Sequence, residues 1–389
     1  MTRVSVVIPT FNRAHLIGRA IDSVLGQTYQ NLEIIVVDDG STDNTRDTLA
    51  AYGDKVTYVY QKNAGAAAAR NLGLTAVSGD FINFLDSDDW FFAEKLEFQV
   101  AYLDAHPECD IVLCAWQDRW AETGEVKNGE LTLQAEDIVK AILLTGNYGL
   151  FPPHIALLRR ECLTHVGGFD TSLNMREEQD LWLRLGLAGH PFGYIDQVLC
   201  GYEFSAGGKG KAHGPKLEQA IGRIFGKVFD NPQTPPHIQS LKQQILAMSH
   251  VDFALYYLEQ QPVQWKSAQE QLALAFTDVD KRTAWLRPLF DQLAYMVIKL
   301  NCSHPDEALT QVLLQVDTQQ TWLYNGIMAR IHVICAHSAY AQKDYRTAVA
   351  HLLHGARDDV AQFREDGTLA LLIKSLLRLP QAKAASMMR

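Results

Sequence analysis

Short β-branched runs alternate with stretches of helical periodicity through the first hundred residues. Runs at 4–8, 32–37, 56–60 and 81–85 are apolar or nearly so at consecutive positions, the pattern of strands buried on both faces. Between them, 16–25, 45–51 and 66–77 read as helices from their apolar spacing. The alternation predicts an α/β domain with a doubly wound parallel sheet, whose ligands sit at the carboxyl ends of the strands. Those ends read Pro9-Thr10-Phe11-Asn12, Asp38-Asp39-Gly40-Ser41-Thr42-Asp43 and Asp86-Ser87-Asp88-Asp89. Two of the three are carboxylate clusters.

From residue 215 the pattern changes to almost continuous helix, broken at prolines 232, 235, 236, 262, 288, 305 and 380. The pair 322–342 and 345–355 resembles a tetratricopeptide hairpin, but the period of about 34 residues typical of that repeat does not recur. This part is expected to be an all-α, repeat-like domain that binds acceptor, oligomerises or docks a partner. Its Trp265, Trp285 and Trp322 are expected in the core rather than on a ligand platform.

Composition sharpens the division. The 389-residue chain is 47% hydrophobic and 21% charged, with a formal charge of −10. Residues 1–214 carry 17 basic and 29 acidic side chains, whereas 215–389 carry 18 and 16. Glycine splits 21 to 5 between the same two parts. The expected organisation is therefore 1–205, a Gly/Lys-rich junction at 206–214, and a helical domain at 215–389. The acidity argues against a nucleic-acid ligand, which needs a basic face. No apolar run approaches the roughly 18–20 residues that span a bilayer, and none at the N-terminus resembles a signal peptide, so a cytoplasmic location is expected, with peripheral association at the inner membrane face left open. Six cysteines without CxxC spacing read as reduced, mostly buried thiols.

Each acidic cluster has a structural and a functional reading. In 38–43, Gly40 suits a turn and Ser41, Thr42 or Asp43 a helix cap. A cap does not need Asp38 at the strand tip, where a carboxylate is able to accept the imide N–H of uracil and reject cytosine. In 86–89, Asp89 is expected to cap a helix starting near Trp90. That leaves Asp86 and Asp88, flanking Ser87, as oxygen ligands for Mn²⁺ or Mg²⁺. Arg70, at the end of an alanine run, is either a solvated helix residue or the partner of a phosphate or nucleobase. His154 either faces an acceptor or is structural.

In order and spacing, 6–12, the 38–43 loop, Gly65 through Asn71, and 85–89 resemble glycosyltransferase family 2, inverting nucleotide-sugar transferases on the GT-A fold. The likeness extends over about 1–205 and includes Gly167-Gly168-Phe169-Asp170 and the acidic stretch Glu177-Glu178-Gln179-Asp180. The resemblance implies a nucleoside-diphosphate-sugar donor held by Pro9, Thr10, Asp38, Arg70, Asp86 and Ser87. It also implies a divalent metal on Asp88 with Asp86 assisting, and a base from the second acid of the acidic pair. That acid is usually Asp in the family and is Glu178 here. At ~100° per residue Glu178 and Asp180 point about 200° apart, and Asp180 has Arg184 as a partner at i+4. Glu178 is therefore chosen as base, with Asp180 and Glu177 as alternates.

The implied reaction is a single in-line displacement that inverts the anomeric centre, with a UDP-sugar as donor and a glycan or lipid-linked glycan as acceptor, in the synthesis of bacterial surface polysaccharide. The junction with Lys209, Lys211 and His213 is either a plain linker or a loop that closes over the diphosphate. The QxxRW pattern and membrane helices of chain-extruding members are missing, which implies single transfer. Two other readings remain: a nucleotidyltransferase on a similar sheet, and a catalytically silent scaffold acting through the helical domain.

Overall fold

The computed structural model describes residues 2–129, 138–144, 152–204, 214–277, 279, 285–300, 305–313, 321–358, 371, 374 and 375. The chain divides into two compact units, 1–239 and 240–389.

The first unit opens with the predicted alternation: β1 (Val4–Thr10), α1 (Ile17–Leu25), β2 (Leu32–Asp38), α2 (Thr45–Ala50), β3 (Thr57–Tyr60), α3 (Ala66–Leu74) and β4 (Phe81–Phe84). Strands β3, β2, β1 and β4 are parallel neighbours in that order. All seven residues of β1 are buried, which is why the strand shows no polar alternation. The register sets Thr10 opposite Asp38, so both strands end at the same level.

Beyond β4 the sheet becomes mixed. It continues through β5 (Trp90–Phe91), α4 (Lys95–Ala105), β6 (Ile111–Trp120), β7 (Val126–Gly129), α5 (Ile138–Leu144), β8 (Ala156–Arg159), α6 (Arg160–Val166), α7 (Glu177–Leu187) and β9 (Phe192–Phe204). The spatial order is β3-β2-β1-β4-β8-β6-β9-β5, with β7 on β6. The helix expected near Trp90 is instead the short strand β5, paired antiparallel with Cys200 and Gly201, and α4 starts only at Lys95. Asp89 explains the difference. Its Oδ1 accepts the Glu203 N–H at 3.0 Å, which ties the chain to β9 before a helix begins. A Cβ at Gly201 would come within 2.1 Å of the Trp90 ring, so only glycine admits the indole here.

Two helices complete this unit, α8 (Pro215–Phe229) and α9 (Pro236–Gln239). The boundary at 239 differs from the 206–214 junction expected from composition. Lys227 of α8 reaches Asp170 at 2.5 Å and Asp180 at 2.6 Å, and Arg223 Nη1 donates to the Ser172 carbonyl at 3.1 Å. These bonds join residues more than 40 positions apart and leave no compositional trace.

The second unit is helical throughout its described residues: α10 (Lys242–Glu259), α11 (Trp265–Ala275), α12 (Leu286–Leu300), α13 (Pro305–Val312), α14 (Thr321–Ala341) and α15 (Tyr345–Asp358). Helix α10 packs on α11, and α14 on both α12 and α15. Trp265, Trp285 and Trp322 are half-buried rather than central. Among the described residues no helix is long and apolar enough to cross a membrane.

Candidate active site

At the carboxyl ends of β1 and β4 lies a cavity of about 740 Å³, lined by Pro9, Thr10, Arg70, Asp86, Ser87, Asp88, Glu177 and Glu178 among others. The Thr10 hydroxyl is buried and has no hydrogen-bond partner among the described residues. A buried hydroxyl left in this state is a costly arrangement unless a ligand satisfies it.

Arg70 is the hub of this cavity. Its Nη2 lies 2.6 Å from Asp86 Oδ1 and its Nη1 2.7 Å from Glu177 Oε1. Its guanidinium sits 5.2 Å from the Phe169 ring centroid. The next residue, Asn71, clamps the Phe169 backbone, accepting its N–H at 2.9 Å and donating to its carbonyl at 2.8 Å. Gly168, at φ +69°, brings this turn so close that a Cβ would lie 2.7 Å from Asn71 Oδ1. The pair Arg70-Asn71 thus joins the Gly167–Asp170 turn, the start of α7 and the loop after β4. Two of its nitrogens are engaged by carboxylates, and its Nε is buried without a hydrogen-bond partner among the described residues.

Asp88 has weaker compensation. Arg13 Nε is 3.9 Å away, while burial, Asp89 and Asp86 together push the Asp88 carboxyl up to about 7. Carboxylate oxygens that line a cavity, one of them only weakly compensated, fit a hard divalent cation. Asp86 and Asp88 are too few for an all-protein cage and suit an ion that completes its shell with water and ligand phosphates.

The three acids of α7 separate clearly. Glu177 is held by Arg70. Asp180 is buried, lies outside the cavity lining, and is bound by Arg184 Nε at 2.8 Å and by Lys227. Glu178 lines the cavity, has no ion pair among the described residues, and is pushed up to about 7 by burial and Glu177.

Asp38 is a different case. Its Oδ1 accepts the Ser41 N–H at 2.8 Å and its Oδ2 the Tyr58 O–H at 2.9 Å, and it is absent from the cavity lining. The adjacent Asp39 lines the cavity and accepts the N–H groups of Ala64 at 2.8 Å and Gly65 at 2.9 Å. Adjacent acids at a strand end face different ways, and the spacing alone does not say which faces the ligand. Lys209, Lys211 and His213 lie outside the described residues.

Several lining groups carried no signal in the sequence. Tyr202 and Glu203 come from the end of β9, and Met175 and Arg176 precede α7. The Tyr202 phenol is raised by burial and by Asp89, Asp86, Asp88 and Glu178. His154 is fully buried and absent from the cavity lining, with Nδ1 3.0 Å from Asp89 Oδ2 and its ring 6.0 Å from that of Tyr202.

Known proteins resemble this chain in sequence and in fold. An uncharacterized glycosyltransferase of Rickettsia typhi is 33% identical over 186 residues, covering 46% of this chain and 58% of that protein. The Escherichia coli UDP-Glc:alpha-D-GlcNAc-diphosphoundecaprenol beta-1,3-glucosyltransferase WfgD is 47% identical over 104 residues, 26% of this chain and 40% of its own. The chain thus spans little more than half the length of the first of these relatives and less of the second. The crystal structure of S. aureus TarS 1-349 in complex with UDP-GlcNAc shares the fold, with a TM-score of 0.56 at 20% identity over 88% of this chain and 92% of that one. Residues 5–167 match the model of Glycosyl transferase family 2, and this part of the chain is a domain of that family.

Proposed function

We propose that the first unit transfers a glycosyl group from a UDP-sugar to a hydroxyl of a glycan or lipid-linked glycan, inverting the anomeric centre. The observation that carries this reading is the convergence of Asp88 and Glu178 on one cavity at the strand ends, each carboxyl raised to about 7. A cation site and a proton acceptor are the two functions that displacement of a nucleoside diphosphate requires.

Asp88, with Asp86, would hold Mn²⁺ or Mg²⁺. Such an ion, when bound, offsets the charge that grows on the departing diphosphate. Pro9, Thr10, Asp39 and Ser87 line the same cavity and would hold the nucleotide. Glu178 takes the proton of the acceptor hydroxyl as its oxygen attacks the anomeric carbon. A single displacement gives a product of opposite anomeric configuration. Arg70 anchors Glu177 at the start of α7, next to Glu178.

The choice of UDP draws on WfgD, whose name includes UDP-Glc, and on the UDP-GlcNAc complex of TarS. A role in bacterial surface polysaccharide synthesis draws its support from the diphosphoundecaprenol-linked acceptor in the WfgD name. The test is a panel of nucleotide sugars with Mn²⁺, read as thermal shift and as release of free nucleoside diphosphate. Stabilisation by UDP-sugars with release of UDP supports the proposal. A nucleotidyltransferase would release no UDP from these donors and would instead form pyrophosphate when given a nucleoside triphosphate and a sugar 1-phosphate.

A further inference from the structure

The edge of the sheet opposite the catalytic cavity carries a second group of reactive side chains. Strand β8 is antiparallel to both β4 and β6, so β6 runs in the direction of β4. Asp110, just before β6, and His190, just before β9, therefore lie at the edge away from Thr10 and Asp88. Strand β8 ends at that same edge and leads directly into α6, which carries Cys162 and, one turn later, His165.

These residues meet. Asp110 Oδ2 is 2.7 Å from His190 Nδ1, and His190 Nε2 is 2.9 Å from His165 Nδ1. Cys162 is fully buried beside them, with Sγ 3.9 Å from the Asp110 carbonyl oxygen. One donor atom each from Asp110, Cys162 and His190 lie within 4.8 Å of one another. A hydrogen-bonded relay would account for the carboxylate and the two imidazoles, but it has no use for a thiol. Sulfur, nitrogen and oxygen donors together are the set that borderline divalent ions take, with Cys, His and Asp bound at about 2.0–2.3 Å.

We infer that Asp110, Cys162 and His190 form a binding site for a zinc-class divalent transition-metal ion, with His165 orienting His190 from outside the coordination shell. On binding, the Cys162 thiol gives its proton to solvent and forms a sulfur–metal bond. His190 binds through Nδ1 and keeps its single proton on Nε2, where His165 Nδ1 accepts it. An outer partner of this kind fixes tautomer and ring orientation in metal-bound histidines. The side chains of Asp110 and His190 keep 26% and 12% exposure, which gives an entry path from solvent. The thiolate and carboxylate offset the ion's two charges, with Arg159 Nε also 3.9 Å from Asp110 Oδ1. The site joins α6 to the starts of β6 and β9 and is separate from the sugar-transfer chemistry.

The test uses the full chain, freed of metal by a chelator and titrated with Co²⁺ alone. A thiolate-to-cobalt charge-transfer band that saturates at one ion per chain and is bleached by Zn²⁺ is expected. The oxygen-only site at Asp86 and Asp88 produces no such band. Cys162→Ser should abolish it, Cys109→Ser should retain it, and His165→Phe should weaken binding by about 10- to 100-fold. If Cys162→Ser fails to fold, His190→Gln provides a second reading, with loss of the band and of the rise in Tm on adding Zn²⁺. The inference is overturned if wild type gives no band, if the band survives Cys162→Ser, or if His190→Gln binds as tightly as wild type.

Discussion

Arg70 Nη1 lies 2.7 Å from Glu177 Oε1, although 107 residues separate them in the chain. With Nη2 on Asp86, this single guanidinium joins the loop after β4 to the first turn of α7. The two loci expected to carry cation and base are positioned by one buried cation.

Replacing Arg70 with Leu should therefore destabilise the fold strongly. Removing one member of a buried ion pair leaves the other charge uncompensated and costs about 3–5 kcal/mol. Urea denaturation should show that loss. Arg70→Lys restores the charge but lacks the two-pronged geometry, so it should recover part of the stability.

Glu178→Gln should retain nucleotide binding and lose transfer by about 10²- to 10⁴-fold. Wild-type kcat/KM should rise with pH and level off above about 7, where the Glu178 carboxyl ionises. Stability moves the opposite way. Burial raises this acid above its ordinary value of 4.5, so its ionised form disfavours the fold, increasingly so as pH rises from 4.5 to about 7. The Gln variant should thus gain Tm over wild type at pH 8 and show no gain at pH 4. An unaltered rate in Glu178→Gln would remove the base assignment.

Asp88→Asn should abolish Mn²⁺-dependent stabilisation and turnover, and chelation of wild type should do the same. Protons compete with the cation at a carboxyl raised to about 7, so Mn²⁺ affinity should fall below that pH. Isothermal titration at pH 6 and 8 measures the difference. A variant that still responds to Mn²⁺ would place the cation elsewhere.

Lys227→Met tests the attachment of α8. It removes a charged partner from Asp180, which is 2% exposed but keeps Arg184, so a loss of about 1.5–3 kcal/mol is expected in thermal or urea unfolding. Asp170, held down at about 2 chiefly by Lys227, should return toward 3.8 in the variant, as an NMR titration would show. No change at either site would detach α8 from the first unit.

The sequence by itself determined the alternation of strands and helices through residue 85, because strands buried on both faces are apolar at every position. It also determined that acidic groups cluster where those strands end, and that the chain turns helical after 215. The pair of Asp180 with Arg184 was legible because the two lie one helical turn apart.

Only the tertiary structure decided what depends on distant partners. Asp39, and not Asp38, lines the cavity, while the Asp38 carboxylate is bound by Tyr58 and the Ser41 N–H. Trp90–Phe91 is a strand because the β9 backbone at Cys200 and Gly201 lies beside it. Arg70 is a bridge because Glu177 arrives from 107 positions away. Asp110, Cys162 and His190 gather only because β6, α6 and β9 begin at one sheet edge. Periodicity reports which face of an element is buried. It carries no information about which element covers that face, and the chemistry of this chain depends on those encounters.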